Sequence, residues 1–405
     1  VLKRISLFLL IFSLPFQLGY HFWLPESYVR SFRIDYLSPT LYLTDIIILA
    51  YILLNLPRAL SIIKNFFSRP DGWLFLLLIL INSYTSAINP ITLFAWVRLS
   101  VYFLLLAILA STPKLSQSIR LPFTLSLVFI IGHSLIQFLR QSSLGGLFYL
   151  FGERPLSVAL PNVAKLSISS LGISNSSFAL LRPYATFSHP NSLAGYLLVS
   201  LLILRQISSP KPLKIITIVA IVLTFSKSAL LTLAIISLVN LNLSQSFLIS
   251  TALSFLPLLK LGLSFSSRFY LLAPTLRIVS ENLLLGVGLR QFIPTLAIHL
   301  PGNQLSYSSL QPVHNLLLLA VSELGLIPVV MILYLLIKSK FILNTKYYLL
   351  VTVILLTGSL DHYWWTLPQN QLIIVLALAL IINPSTHFPS KLEGKASPSA
   401  RKRSR

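Results

Sequence analysis

The sequence has no cysteine, one methionine and only 9 acidic residues in 405. Without cysteine there is no disulfide, no thiolate nucleophile and no sulfur ligand, and the redox compartment cannot be read. Charged residues make up 10% of the chain, where a soluble domain carries about 25%. Hydrophobic residues make up 55%, and the mean hydropathy is +0.83. No long polar segment is left to fold in water, which excludes a globular enzyme with a single membrane anchor. The useful unit is therefore the hydrophobic span, since about 20 apolar residues cross one bilayer.

Scarce acid leaves a net charge of +22. In a soluble protein that would point to nucleic acid. Here the cations are sorted by loop first, because cytoplasmic loops collect Lys and Arg. Apolar runs predict an all-α polytopic membrane protein of about twelve transmembrane helices. They fall near 5–22, 41–56, 72–88, 91–110, 121–139, 189–204, 213–226, 228–243, 246–262, 312–337, 346–360 and 363–382. The run Leu2–Leu24 follows Lys3 and Arg4 without a small-residue cleavage site, and reads as a retained span rather than a signal peptide. With the N-terminus inside, the short inner loops are basic (Arg58, Lys64 and Arg69; Lys114 and Arg120; Arg205, Lys211 and Lys214; Lys338, Lys340 and Lys346). Residues 1–383 form the membrane domain, and 384–405 read as a basic, disordered cytoplasmic tail near anionic headgroups. The tail accounts for much of the charge with no nucleic acid partner.

Two outer segments, about 140–188 and 263–311, exceed the roughly 15 residues usual for a plain loop. In the second, Arg268 to Glu281 places Phe269, Leu272, Leu276 and Val279 at helical spacing, which predicts a surface helix. Arg182, Lys227, Arg268, Arg277 and Arg290 all fall on the outer side. Each alone reads as an interfacial side chain snorkelling to headgroups. As a set they outweigh the outer acids Glu26, Asp35, Glu153, Glu281 and Asp361. That surplus points to an anionic ligand, and the planar Arg fork suits phosphate.

Three outer strings stand out. The first runs from Arg182 through Phe187, His189, Pro190 and Asn191, with Asn191 placed to cap the next helix. The second is Gly286-Val287-Gly288 before Arg290 and Phe292, a tight turn between two surface helices. The third is His314-Asn315, with Glu323 deeper in the span and Gly325-Leu326-Ile327-Pro328 after it. A histidine there reads either as structural or as a proton-transfer group. Asp361-His362-Tyr363-Trp364-Trp365 is a further outer element, either an aromatic interface belt or part of the same cavity. Arg98, His133 and Asp45 are polar span residues read as packing partners rather than catalytic groups.

Taken together, these strings resemble the O-antigen ligase and O-antigen polymerase superfamily of bacterial membrane glycosyltransferases, most strongly over about 180–335. The matching positions are Arg182 with Phe187, His189, Pro190 and Asn191; Ser226-Lys227; Arg268; Gly286, Gly288 and Phe292; and His314-Asn315 with Gly325. Lys227 stands where the family usually has Arg, and Pro328 replaces a glycine.

The resemblance implies a GT-C-like fold in the bacterial inner membrane, with both termini cytoplasmic and the site on the outer side. It implies transfer of a glycan from an undecaprenyl-diphosphate carrier to an acceptor hydroxyl on a lipid, glycan or protein. On that reading Arg268, Arg182 and Lys227 clamp the diphosphate. His314 is the base, oriented by Asn315 or Glu323, with His189 as second choice. Asn191, Arg290, Asp361, His362 and Trp364 contribute to substrate binding. No metal or cofactor is expected, because no outer pair of acids has useful spacing. Polymerase, ligase and protein glycosyltransferase are not separated by the sequence. A flippase or transporter is the rival from another class.

Overall fold

The computed structural model describes residues 1–161, 163–167, 179–239, 270–302, 305–338 and 345–383. The expected span at 246–262, the tail 384–405 and Arg268 lie outside the described residues.

The fold is mostly helical. In chain order the helices are α1 (Leu2–Ser13), α2 (Leu43–Leu54), α3 (Leu56–Phe67), α4 (Pro70–Thr85), α5 (Pro90–Ala110), α6 (Leu115–Arg140), α7 (Pro190–Gln206), α8 (Lys211–Leu223) and α9 (Lys227–Val239). There follow α10 (Leu272–Glu281), α11 (Phe292–His299), α12 (Leu316–Leu324), α13 (Leu326–Lys338), α14 (Thr345–Gly358), α15 (Tyr363–Thr366) and α16 (Pro368–Ile382). Proline supplies the first turn of α4, α5, α7 and α16, where its missing N–H costs nothing and its φ is already helical.

Two helices among the described residues, α5 and α6, are long and apolar enough to cross a membrane by length and composition. The α2–α3 pair passes the same test together, but bends by 87° at Asn55. The sequence reading placed one span at 41–56 and a basic loop after it; the loop is helix α3, turned away from α2. Asn55 closes the bend by donating its side-chain amide to the Tyr51 carbonyl at 2.8 Å.

Helix α7 is the centre of the packing. Every residue from Pro190 to Leu204 is buried, as expected of a helix that is apolar all round. It packs against α8, α9, α14 and α16, while α16 also packs along α5, and α1 lies against α6 and α2. The largest hydrophobic cluster joins these helices through Leu105, Phe123, Tyr196, Leu350 and Leu376.

The expected span at 312–337 is two helices. Gly325 ends α12 at φ +83, a conformation that glycine adopts without strain. The Gly286–Gly288 turn docks at this break. Val287 and Gly288 donate their N–H groups to the carbonyls of Ser322 and Glu323, and Leu326 donates back to Leu283, at 2.9, 3.0 and 2.7 Å. A Cβ at Gly325 would overlap the Leu284 carbonyl.

The segments between helices also contain short strands that the all-α expectation lacked. β1 (Gly19–His21) pairs antiparallel with β4 (Thr40–Tyr42), β2 (Tyr28–Val29) with β3 (Phe32–Arg33), and β5 (Lys165–Ser167) with β6 (Ala179–Leu181). β1 and β4 fall at the edges of the expected spans 5–22 and 41–56. Pairing satisfies backbone groups in connecting segments too polar and too short for helices.

Candidate functional site

The site begins at the entry to α7. His189 is its N-cap: the ring Nδ1 accepts from the Asn191 backbone N–H at 3.1 Å. The sequence reading gave the cap to Asn191. With His189 in that place, the Asn191 side chain is free to bridge. Its Oδ1 accepts from Arg182 Nη2 at 2.8 Å, and its Nδ2 donates to Asp361 Oδ2 at 3.0 Å. Arg182 is anchored further by its Nε, which donates to the Thr224 carbonyl at 2.7 Å. Thr224 belongs to the turn that leads into Lys227, the first residue of α9.

Asp361 is buried in the connection between α14 and α15. Its Oδ1 accepts from the His362 N–H at 2.8 Å and lies 3.8 Å from His314 Nδ1. Burial pushes this carboxyl up, but the imidazoles of His314, His362 and His189 outweigh it and hold Asp361 well below the usual carboxylate range. The His314 and His362 rings lie 5.3 Å apart. His362 Nδ1 and Thr366 Oγ1 share a hydrogen bond of 3.0 Å. One ligand atom each from His314, Asp361 and His362 lies within 4.8 Å of the others. That donor set could hold a divalent cation, and the spacing of acids along the sequence did not reveal it.

His362 also lines a cavity of about 210 Å³. Its wall includes Arg98, Arg154 and Arg290 with Asp35, and the rings of Tyr36, Tyr42, Phe94 and Trp365. Arg290 stacks over Tyr36 at 4.3 Å and donates to the carbonyls of Tyr36 and Thr366 at 3.3 and 3.2 Å. Glu323, expected beside His314, sits behind this wall instead. Its two oxygens accept from the Tyr36 hydroxyl at 2.8 Å and the Trp365 indole N–H at 2.7 Å. Burial, then the charge of Glu323, pushes the Tyr36 hydroxyl well up, so it stays a donor.

Asn315 caps α12, accepting from the Leu318 N–H at 2.9 Å and donating to the Ser359 carbonyl at 3.1 Å. It therefore ties the start of α12 to the end of α14, one residue from His314. Trp364 is buried and donates to Thr357 Oγ1 at 2.7 Å; its neighbour Trp365 is the tryptophan in the cavity wall. Arg98 pairs with Asp45 at 2.8 Å, and His133 with Glu153 at 2.9 Å. Arg154 and Tyr36 were not singled out in the sequence, and Trp365 only as the end of the Asp361–Trp365 string. Tyr36 was signalled by nothing local.

The structure thus brings Arg182, His189, Asn191, His314, Asp361 and His362 into one polar cluster, with Arg290 in the adjoining cavity. No protein-family model matches the chain, and comparison with curated proteins found no match. The class that the fold defines is a mostly helical protein with apolar helices able to span a membrane.

Proposed function

We propose that the chain is a polytopic inner-membrane glycosyltransferase that works without a metal. It moves a glycan, with inversion, from an undecaprenyl-diphosphate carrier to an acceptor hydroxyl on the outer face. We read it as O-antigen ligase-like, or alternatively as a polymerase or protein glycosyltransferase of that superfamily, which share the donor and differ in acceptor. The reading carries the twelve-span, GT-C-like layout and cytoplasmic termini with it. The observation that supports it most is the hydrogen-bonded chain from Arg182 through Asn191 to Asp361, which ends 3.8 Å from His314. It joins a cation to a carboxylate–imidazole pair across three separate parts of the sequence.

In this reaction the acceptor oxygen attacks the anomeric carbon, and the bond from that carbon to the diphosphate oxygen breaks. The electron pair leaves on the diphosphate. Cations aimed at that charge stabilise the transition state, and Arg182, Lys227 and Arg268 take that role. The hydroxyl proton passes to His314, and Asp361 stabilises the imidazolium that forms. The 3.8 Å gap is longer than a hydrogen bond, so the two groups act here through charge.

The test is transfer from a polyprenyl-diphosphate glycan by the purified protein. His314→Ala lowers the rate by about 100-fold or more. A near-normal rate would end the base assignment. The partly buried pairs of Arg98 with Asp45 and of Glu323 with Tyr36 favour a second reading, a lipid-linked sugar flippase, since ionisable groups inside spans mark transport paths. Substrate flux in proteoliposomes without bond cleavage would establish it.

A further inference from the structure

On the other side of His362 from Asp361, the cavity has a task still to be assigned. Its cations are unequally paired. Arg98, Arg154 and Arg290 line it, with Asp35 as the acid in the wall. Arg98 is neutralised by Asp45 at 2.8 Å and Arg290 has the Glu323 carboxylate close by, while Arg154 is exposed and makes no ion pair among the described residues. Its walls are also stiff. One buried carboxylate, Glu323, holds both the Tyr36 and Trp365 rings by hydrogen bonds of 2.8 and 2.7 Å. Gln17 lines the cavity as well, and its Oε1 is buried with no hydrogen-bond partner among the described residues.

Rigid aromatic faces accept the C–H face of a sugar ring. Convergent polar groups fix its hydroxyls, and a guanidinium without a matching acid takes an anionic substituent. We propose that this cavity is the acceptor site and that it takes an acidic saccharide, bearing a carboxylate or a phosphate. The inference rests on the glycan-transfer reading. Arg154 and Arg290 grip the anion, and Trp365 and Tyr36 carry the ring. The acceptor hydroxyl then meets the imidazole pair at His362. Glu323 is a positioning residue, acting through the two rings that it holds.

Tryptophan fluorescence of the purified full chain in detergent tests this, with glucuronate, glucose 6-phosphate and glucose as probes. At least one acidic sugar binds about ten-fold more tightly than glucose, the scale of one charge-assisted hydrogen bond. Arg154→Ala removes the preference. Arg277→Ala, an exposed cation paired with Glu281 at 2.9 Å, leaves it intact. Glucuronate ahead of the phosphate names a uronate acceptor, and the reverse order a phosphorylated one. Equal binding of glucose overturns the proposal, as does an acidic preference that survives both Arg154→Ala and Arg290→Ala. Competitive displacement of the acidic sugar by a polyprenyl diphosphate gives the cavity to the donor; it overturns the acceptor role while leaving glycan transfer standing. Absence of transfer from any donor, with acidic-sugar binding retained, overturns the acceptor role together with the transfer reading.

Discussion

The side-chain amide of Asn191 donates to Asp361 Oδ2 across 3.0 Å, joining residues 170 positions apart. The same side chain accepts from Arg182, so one neutral amide connects a guanidinium and a carboxylate that do not touch directly. Asn191→Leu keeps the volume close and removes both bonds. Two charged groups then lose a partner in a buried setting, which costs about 1–3 kcal/mol. We expect a lower midpoint of thermal unfolding in detergent and a loss of transfer larger than the loss of folded protein. An unchanged melting curve would show that the bridge is not structurally coupled.

The depressed ionisation of Asp361 has a signed consequence for stability. Its folded-state pKa lies below the ordinary value of 3.8, so its contribution is fully present above that value. The contribution is lost only as pH falls through the folded pKa. The difference in stability between the native chain and Asp361→Asn should therefore be present near pH 5 and shrink below about pH 4. Thermal unfolding across that range checks it. A difference that already declines near pH 6 would contradict the assignment.

The glycine at the α12–α13 break tests how the outer turn is held. Gly325→Ala must place a Cβ at φ +83 against the Leu284 carbonyl. Strain of this kind costs about 1–3 kcal/mol, and the backbone bonds to the Gly286–Gly288 turn should weaken with it. We expect faster amide exchange at Val287 and Gly288 than in the native chain. Protection equal to native would show that the turn does not depend on the break.

Glu323 holds two rings of the cavity wall, Tyr36 and Trp365, and touches none of the imidazoles among the described residues. Glu323→Gln keeps one acceptor but offers an N–H to the second donor, so either Tyr36 or Trp365 loses its bond. The expected effect falls on the KM for the acceptor, by about ten-fold, with kcat largely kept. A fall in kcat alone would move Glu323 into the chemistry.

The donor set of His314, Asp361 and His362 gives a metal test. The proposed reaction uses the protein's own cations, so a chelator should leave transfer unchanged. Zinc suits two imidazoles and one carboxylate, and occupying His314 would remove the base. Added Zn²⁺ should inhibit, and chelator should reverse the inhibition. Activity lost to chelator and restored by Mg²⁺ or Zn²⁺ would instead make the set a working metal centre.

Helical content and apolar runs able to span a membrane were legible along the chain, because composition and apolar run length act locally. Arg182, His189, Asn191, His314 and Asp361 stood out as residue types at motif positions. Roles within the site were less legible. Capping at α7 fell to His189 because its ring reaches back to the Asn191 N–H, which left Asn191 to bridge. Glu323 was one of two candidate orienting partners for His314, yet it accepts from Tyr36, 287 residues away in sequence.

The amino-acid order by itself determined the high helical content and the apolar runs long enough to cross a membrane, since these follow from nearest-neighbour composition and the cost of exposing apolar surface. Only the tertiary structure decided which polar groups meet. Hydrogen bonds such as those from Asn191 to Asp361 and from Tyr36 to Glu323 depend on how helices from distant parts of the chain pack, and no local pattern carries that geometry.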